Sequence, residues 1–464
     1  MHIYGDRDPK RSVFAVNQCL RTLPGIRFFV AALLAFGLPV EAGEYEAPPM
    51  VPAKTLFPDV NLKTEIYEVK SKVSTDGFLS RVEIHSEFGD IVAVGPGMLG
   101  TRLNEIGAMA KLETFESSDE FQRAVKDSTD EKTSGLDQMI DKPKETLGGM
   151  AEGVGRFFKR TYRSTKTGLQ TAGDVAKEQA PGVQAGPGAN LPGKALGSVE
   201  GDGGSKYAKV ARASGDVALN ILGFDDARRR LCKRLGVDPY TTNKALDEKL
   251  DEVTKSLFAG DLAVDLATAL IPGGTLLSKS NMVGNWVWDT PPGDLRVAIE
   301  KDLKAMKFTK QDIDRLLRHR WYPLSFQAAL TRSLNALDGI KGRPDIMPLV
   351  LSVTTYDQAR FVVNTLRMTA AYHKQIKPLA ALQVVGTIIA WRADGTPVVA
   401  SPVDYLSWTE GIDKFSSREE FSGWQPEVHI AGLMSESARS NLETRGWRIT
   451  DRSGLFTLPT AGSG

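Results

Sequence analysis

Leu382-Gln-Val-Val-Gly-Thr-Ile-Ile-Ala-Trp391, then Asp394-Gly395, then Pro397-Val-Val-Ala-Ser-Pro-Val403 is the stretch on which the fold turns. The first run is almost continuously apolar and of strand length, Asp-Gly is a tight-turn pair, and the second run returns as a strand. Downstream, a short helix is expected near Tyr405–Phe415 and a strand from Glu427 to Leu433. Ser435 opens a helix to Arg445, and Gly446 to Ile449 reads as a last strand. Upstream, Thr355-x-x-Gln358 is a capping box ahead of Phe361, Val362, Leu366, Met368 and Tyr372 at helical spacing. Strands alternating with helices predict a small α/β domain over 345–452, with a disordered tail at 453–464.

The preceding stretch, 206–344, reads as helical. Val210, Val217, Ile221 and Leu222 mark one helix, ended by Gly223. Asp225 and Asp226 suit the positive end of the next, four residues before Arg229 and Arg230, which is ion-pair spacing. Asn243 is placed as an N-cap for a stripe running from Leu246 through Leu250, Val253, Leu257 and Leu262 to Leu270. Further helices are expected around Leu295–Met306 and after Thr309. Before this region, 136–205 is rich in Gly, Ala, Pro and charge, and cannot bury enough apolar surface to offset its ordering entropy. It reads as a flexible linker.

Residues 43–135 form an N-terminal α+β unit. Ile66, Val69, Val82, Ile84, Ile91, Val92 and Val94 alternate in part, with turns at Asp76-Gly77 and Phe88-Gly89-Asp90, so two or three antiparallel strands are expected. A helix follows from Met98 to Leu112, and a second is opened by the Ser117-x-x-Glu120 box. Ahead of this unit, Phe28 to Val40 is a short apolar run preceded by Lys10, Arg11, Arg21 and Arg27 and closed by small residues near Ala42. That is the pattern of a secretory signal peptide over 1–42, and the run is too short to span a bilayer. The chain is expected to be periplasmic or secreted, mature from about Gly43. The fold class is therefore α+β and multi-domain: N-terminal strands and helices, a helical middle and a small C-terminal α/β domain.

The 464 residues are 41% hydrophobic and 25% charged, a globular composition. A formal net charge of +1 argues against nucleic acid as a partner of the whole molecule. Of two cysteines, Cys19 falls in the signal, which leaves Cys232 without an internal partner. Its basic neighbours Arg228, Arg229, Lys233 and Arg234 would favour a reactive thiolate, but a small residue half-buried on a helix is the preferred reading.

Gly95-Pro-Gly97-Met-Leu-Gly100 matches the dinucleotide fingerprint, yet hairpin strands precede it and no acidic strand end follows, so a tight turn into a helix is expected and no cofactor. No metal site is expected, because His85, His319, His373 and His429 show no ligand spacing. Seven tryptophans all follow Asn285 and read as core or boundary residues. Arg156, Lys159, Arg160, Arg163 and Lys166 recur on one helical face, with Val154, Phe158, Tyr162 and Leu169 on another. A basic amphipathic helix of this kind suits an anionic membrane surface or an acidic envelope protein, each cation near anionic lipid contributing on the order of 1 kcal/mol. Asp404, after a strand and before a helix, and His429, in an apolar strand, are the best acid–base candidates for an alternative reading as an exported hydrolase. The favoured reading is a non-enzymatic binding or structural protein of the cell envelope.

Overall fold

Val82 and Ile84 point inward while Arg81, Glu83 and His85 face solvent, and this alternation over Ser80–Ser86 sets the central strand of the first sheet. The computed structural model describes residues 45–116, 224–259 and 284–456. The expected signal peptide, the Ser117 helix, the linker with its basic helix, Val210–Leu222, and residues 457–464 of the tail lie outside the described residues; the start of the tail expected disordered over 453–464 is instead ordered, Gly454–Phe456 forming a short 3-10 turn with Leu455 buried in the core. The architecture is α+β, with strands toward both ends and helices between.

The first sheet comprises β1 (Met50–Pro52), β2 (Tyr67–Val69), β3 (Lys72–Thr75), β4 (Ser80–Ser86) and β5 (Gly89–Val94). All its pairings are antiparallel; β4 is flanked by β5 on one side and by β2 and β3 on the other. A one-turn helix, α1 (Ala53–Leu56), follows β1. Gly95 and Gly97, at φ +79° and +75°, make the tight turn that the sequence suggested, and lead into α2 (Met98–Glu116).

Next come α3 (Phe224–Leu235) and α4 (Lys244–Ala259), whose stripe Leu246, Leu250 and Val253 is buried as expected. Arg228 ties the two helices together, meeting Asp247 at 2.6 Å and also Asp251. Leu231, Cys232 and Leu235 of α3, and the α4 stripe, pack in one core with Val73, Ile84, Leu103, Ile106 and Leu112. Both helices were grouped by sequence with the helical middle; their apolar stripes instead cover the N-terminal sheet and α2. A stripe records that a face must be covered, not which layer covers it.

The next helices are α5 (Gly284–Asp289), α6 (Pro292–Ala305), α7 (Lys310–Leu317), α8 (Leu324–Asn335), α9 (Met347–Leu351) and α10 (Tyr356–Gln375). Thr309 and Thr355 cap α7 and α10, accepting from the backbone N–H groups of Asp312 and Gln358. The C-terminal sheet contains β6 (Leu379–Val385), β7 (Thr387–Arg392), β8 (Pro397–Ser401), β10 (Glu427–Ile430) and β12 (Arg448–Thr450), in the order β12-β10-β8-β7-β6. β8, β10 and β12 are parallel, while β7 runs antiparallel to β6 and β8.

The run Leu382–Trp391 is therefore not one strand. It folds into the β6–β7 hairpin about Gly386, at φ +74°, pairing Val384 with Ile388 and Leu382 with Ala390. Both arms are apolar, so hydropathy does not mark the turn. The helix expected from Tyr405 begins later, as α11 (Glu410–Ser416) capped by Thr409. Tyr405–Leu406 is a short strand, β9, parallel to β11 (Leu433–Met434). Helix α12 (Glu436–Thr444) is capped by Ser435, as expected.

One face of the C-terminal sheet, with Ile388, Val398 and Ala400, shares a core with Leu295, Ile299, Leu303, Leu330, Leu334 and Leu366 of α6, α8 and α10. That core runs across the expected boundary at 344/345. The other face, with Ile389, Val399, Val428 and Ile430, is closed by Trp408, Phe421, Ala438, Leu442 and Trp447. N- and C-terminal strands lie in separate sheets.

Candidate functional site

Asp404 sits just past the carboxyl end of β8, where parallel sheets place ligand-binding groups, and is 5% exposed. Its Oδ2 accepts from the Ser80 N–H at 2.8 Å and the Ser80 hydroxyl at 2.6 Å. Burial pushes its carboxyl up to about 6; the Ser80 donors and the Arg360 guanidinium pull downward, and Asp76 pushes up. Arg360 itself is buried on α10, donating to the Val94 carbonyl and to Asp357 Oδ1 at 3.1 Å.

His429 lies on β10 beside α10, its ring 5.1 Å from that of Tyr372 in an edge-on arrangement. Glu427, on the same strand face, gathers the Tyr372 hydroxyl at 2.7 Å, Arg392 at 2.9 Å and Arg448 at 2.6 Å, and stands 3.7 Å from His429 Nε2. Burial pulls Glu427 upward, but Tyr372, Arg448, Arg392 and His429 outweigh it and leave the carboxyl below its ordinary range. Burial lowers His429, with Glu427 opposing, and its Nδ1 is buried without a hydrogen-bond partner.

Asp404 and His429 are not brought together. Asp404 is read by Arg360 and His429 by Tyr372, twelve residues apart on α10, which is an axial rise of about 18 Å. Each has its own buried neighbours. Sequence reasoning missed Glu427, Arg360 and Ser80. Glu427 was legible, being two residues from His429 and therefore on the same face of a strand. Ser80, 324 positions from Asp404, gives no local signal.

A second buried polar hub joins α2 to the loop before α4. Glu105 accepts from Arg102 and Thr241, each at 2.6 Å, and from Asn243 at 3.2 Å. Cys232 is fully buried, and desolvation pushes its thiol up to about 12 despite Arg228. Of the tryptophans, Trp408 and Trp447 are buried and Trp424 is 41% exposed, its ring set edge-on to Trp391 at 6.2 Å. Arg156, Lys159, Arg160, Arg163 and Lys166 lie outside the described residues.

Among the described residues, no helix is long and apolar enough to cross a membrane, and no group of three or more His, Cys, Asp or Glu could hold a metal ion. No family model matches the chain, and no curated protein or solved structure matches it.

Proposed function

We propose that the chain is an exported protein of the cell envelope that works by binding, with the segment carrying Arg156, Lys159, Arg160, Arg163 and Lys166 meeting an anionic membrane surface. The observation that carries this reading is the spacing of those five cations on one helical face, in a chain that opens with an export-type sequence. The test is co-sedimentation of the mature protein with anionic and neutral liposomes, beside a variant with the five cations changed to Gln. Wild type should pellet with anionic vesicles and the variant should stay in solution. Equal behaviour of the two proteins refutes the membrane role. An acidic envelope protein as the partner predicts instead cross-linking to protein with no vesicle binding.

One observation favours an exported hydrolase as a second reading: the unpartnered Nδ1 of buried His429 beside the Glu427–Tyr372 pair. It predicts ester or peptide hydrolysis that His429→Gln abolishes without lowering the melting temperature. Hydrolysis retained by that variant removes the reading.

A further inference from the structure

The solvent face of the first sheet carries an open hollow of about 320 Å³, lined by Met50, the segment 70–72, Ser74, Arg81 and Glu83. A slip in register builds it. Val69 pairs with Ile84 and Ser74 with Arg81, so five steps along β2–β3 meet only three along β4, and the surplus bulges at Lys70-Ser71. The bulge is fastened on both sides. Lys70 N–H donates to the Glu83 carbonyl at 3.0 Å, and the Ser71 carbonyl accepts from Ala53 N–H at 2.8 Å. Val69 and Val73 are buried beneath, which turns Lys70, Lys72 and Ser74 outward beside Arg81 and Glu83. Ser74 stands directly opposite Arg81, and Met50 directly opposite Ser74.

The charges here do not balance. Lys70 pairs with Glu83 and, with a weaker pull from Arg81, holds that carboxyl below its ordinary range. Among the described residues, the side chains of Lys72 and Arg81 make no ion pair or hydrogen bond, and the Ser71 and Ser74 hydroxyls have no partner. Three cations against one carboxylate leave a local surplus of positive charge, in a chain whose formal net charge is only +1. We propose that this hollow binds a phosphate ester: Lys72 and Arg81 hold the phosphate, the Ser71 and Ser74 hydroxyls donate to it, and Met50 covers the organic substituent. A guanidinium offers a fork of donors that matches two phosphate oxygens, and an ammonium adds a point charge. The volume falls at the small end of ligand sites, about 300–1,000 Å³, which leaves room for a substituent beside the anion. Met50, 60% exposed, supplies an apolar rim. The site is separate from the cations at 156–166 and does not rest on the membrane reading.

Met50 also places a reporter in the hollow. Methionine-methyl resonances of the full chain, titrated with glycerol 1-phosphate at constant ionic strength, should show saturable movement at Met50 and none at Met98, which is buried in the core. Inorganic phosphate should move the Met50 resonance with weaker affinity, and chloride should not move it. Lys72→Gln combined with Arg81→Gln should weaken ester binding at least about tenfold, because both unpaired charges are gone. Glu83→Gln removes the opposing carboxylate and should tighten binding, so the two variants move affinity in opposite directions, which a general loss of folding cannot do. Monomeric dihexanoyl phosphatidylglycerol, titrated in parallel, separates the sources: tighter binding of the lipid assigns a membrane headgroup, and tighter binding of glycerol 1-phosphate assigns a free ester. No saturable movement at Met50 with either ester, or equal affinity in wild type and both variants, overturns the site.

Discussion

Cys232 shows how position can reverse a local charge argument. Four basic neighbours in sequence suggest an activated thiolate, but the side chain points into the core and desolvation dominates. In the native protein Cys232 should therefore resist a disulfide thiol reagent at pH 8 and react only on unfolding; fast native labelling of Cys232 would contradict the burial. Asp404 makes a second prediction at this scale. Its folded pKa, raised to about 6, means that the native state binds the extra proton between pH 6 and 4, so its contribution to stability falls as pH rises through that window. His319 and His429 act oppositely, since burial lowers both and acid destabilises them below about 6.5. Comparing wild type with Asp404→Asn cancels the histidines. The variant should gain about 1.4 kcal/mol relative to wild type on going from pH 5 to 7.5, measured by denaturant melts. A difference that does not vary with pH would mean the carboxyl is not desolvated.

The β8–β9 and β10–β11 connections approach closely. A Cβ on Gly432 would fall 2.0 Å from the Asp404 carbonyl oxygen, which is backbone and cannot swing away. Gly454 has nothing within 4 Å of the same position. Gly432→Ala should cost several degrees of melting temperature, as overpacking typically costs about 1–3 kcal/mol, while Gly454→Ala should be near neutral. The reverse order would disprove the close approach. Caps were the most legible features here: Thr309, Thr355 and Ser435 each accept from the N–H three residues on. The hairpin inside Leu382–Trp391 was not, because both of its arms are apolar and only Gly386 marks the turn.

At the scale of the molecule, a strap joins residues far apart in sequence. Glu46 N–H donates to the Trp408 carbonyl at 2.8 Å, and its carboxylate accepts from Trp408 N–H and the Ser435 hydroxyl. Tyr45 donates to Asp413 at 2.9 Å. Glu46→Ala leaves those donors unmatched and should lower stability by about 1–3 kcal/mol in a denaturant melt; no change would mean that water replaces the carboxylate freely. Local sequence determined the α+β class, the helix caps, the glycine turn into α2 and the buried stripe of α4, because each follows from side-chain period and backbone chemistry within about a dozen residues. Tertiary structure alone decided that α3 and α4 cover the N-terminal sheet, that one core crosses residue 344, and that Ser80 meets Asp404. Such contacts depend on which apolar faces find one another across hundreds of residues, and hydropathy states only that a face needs a partner.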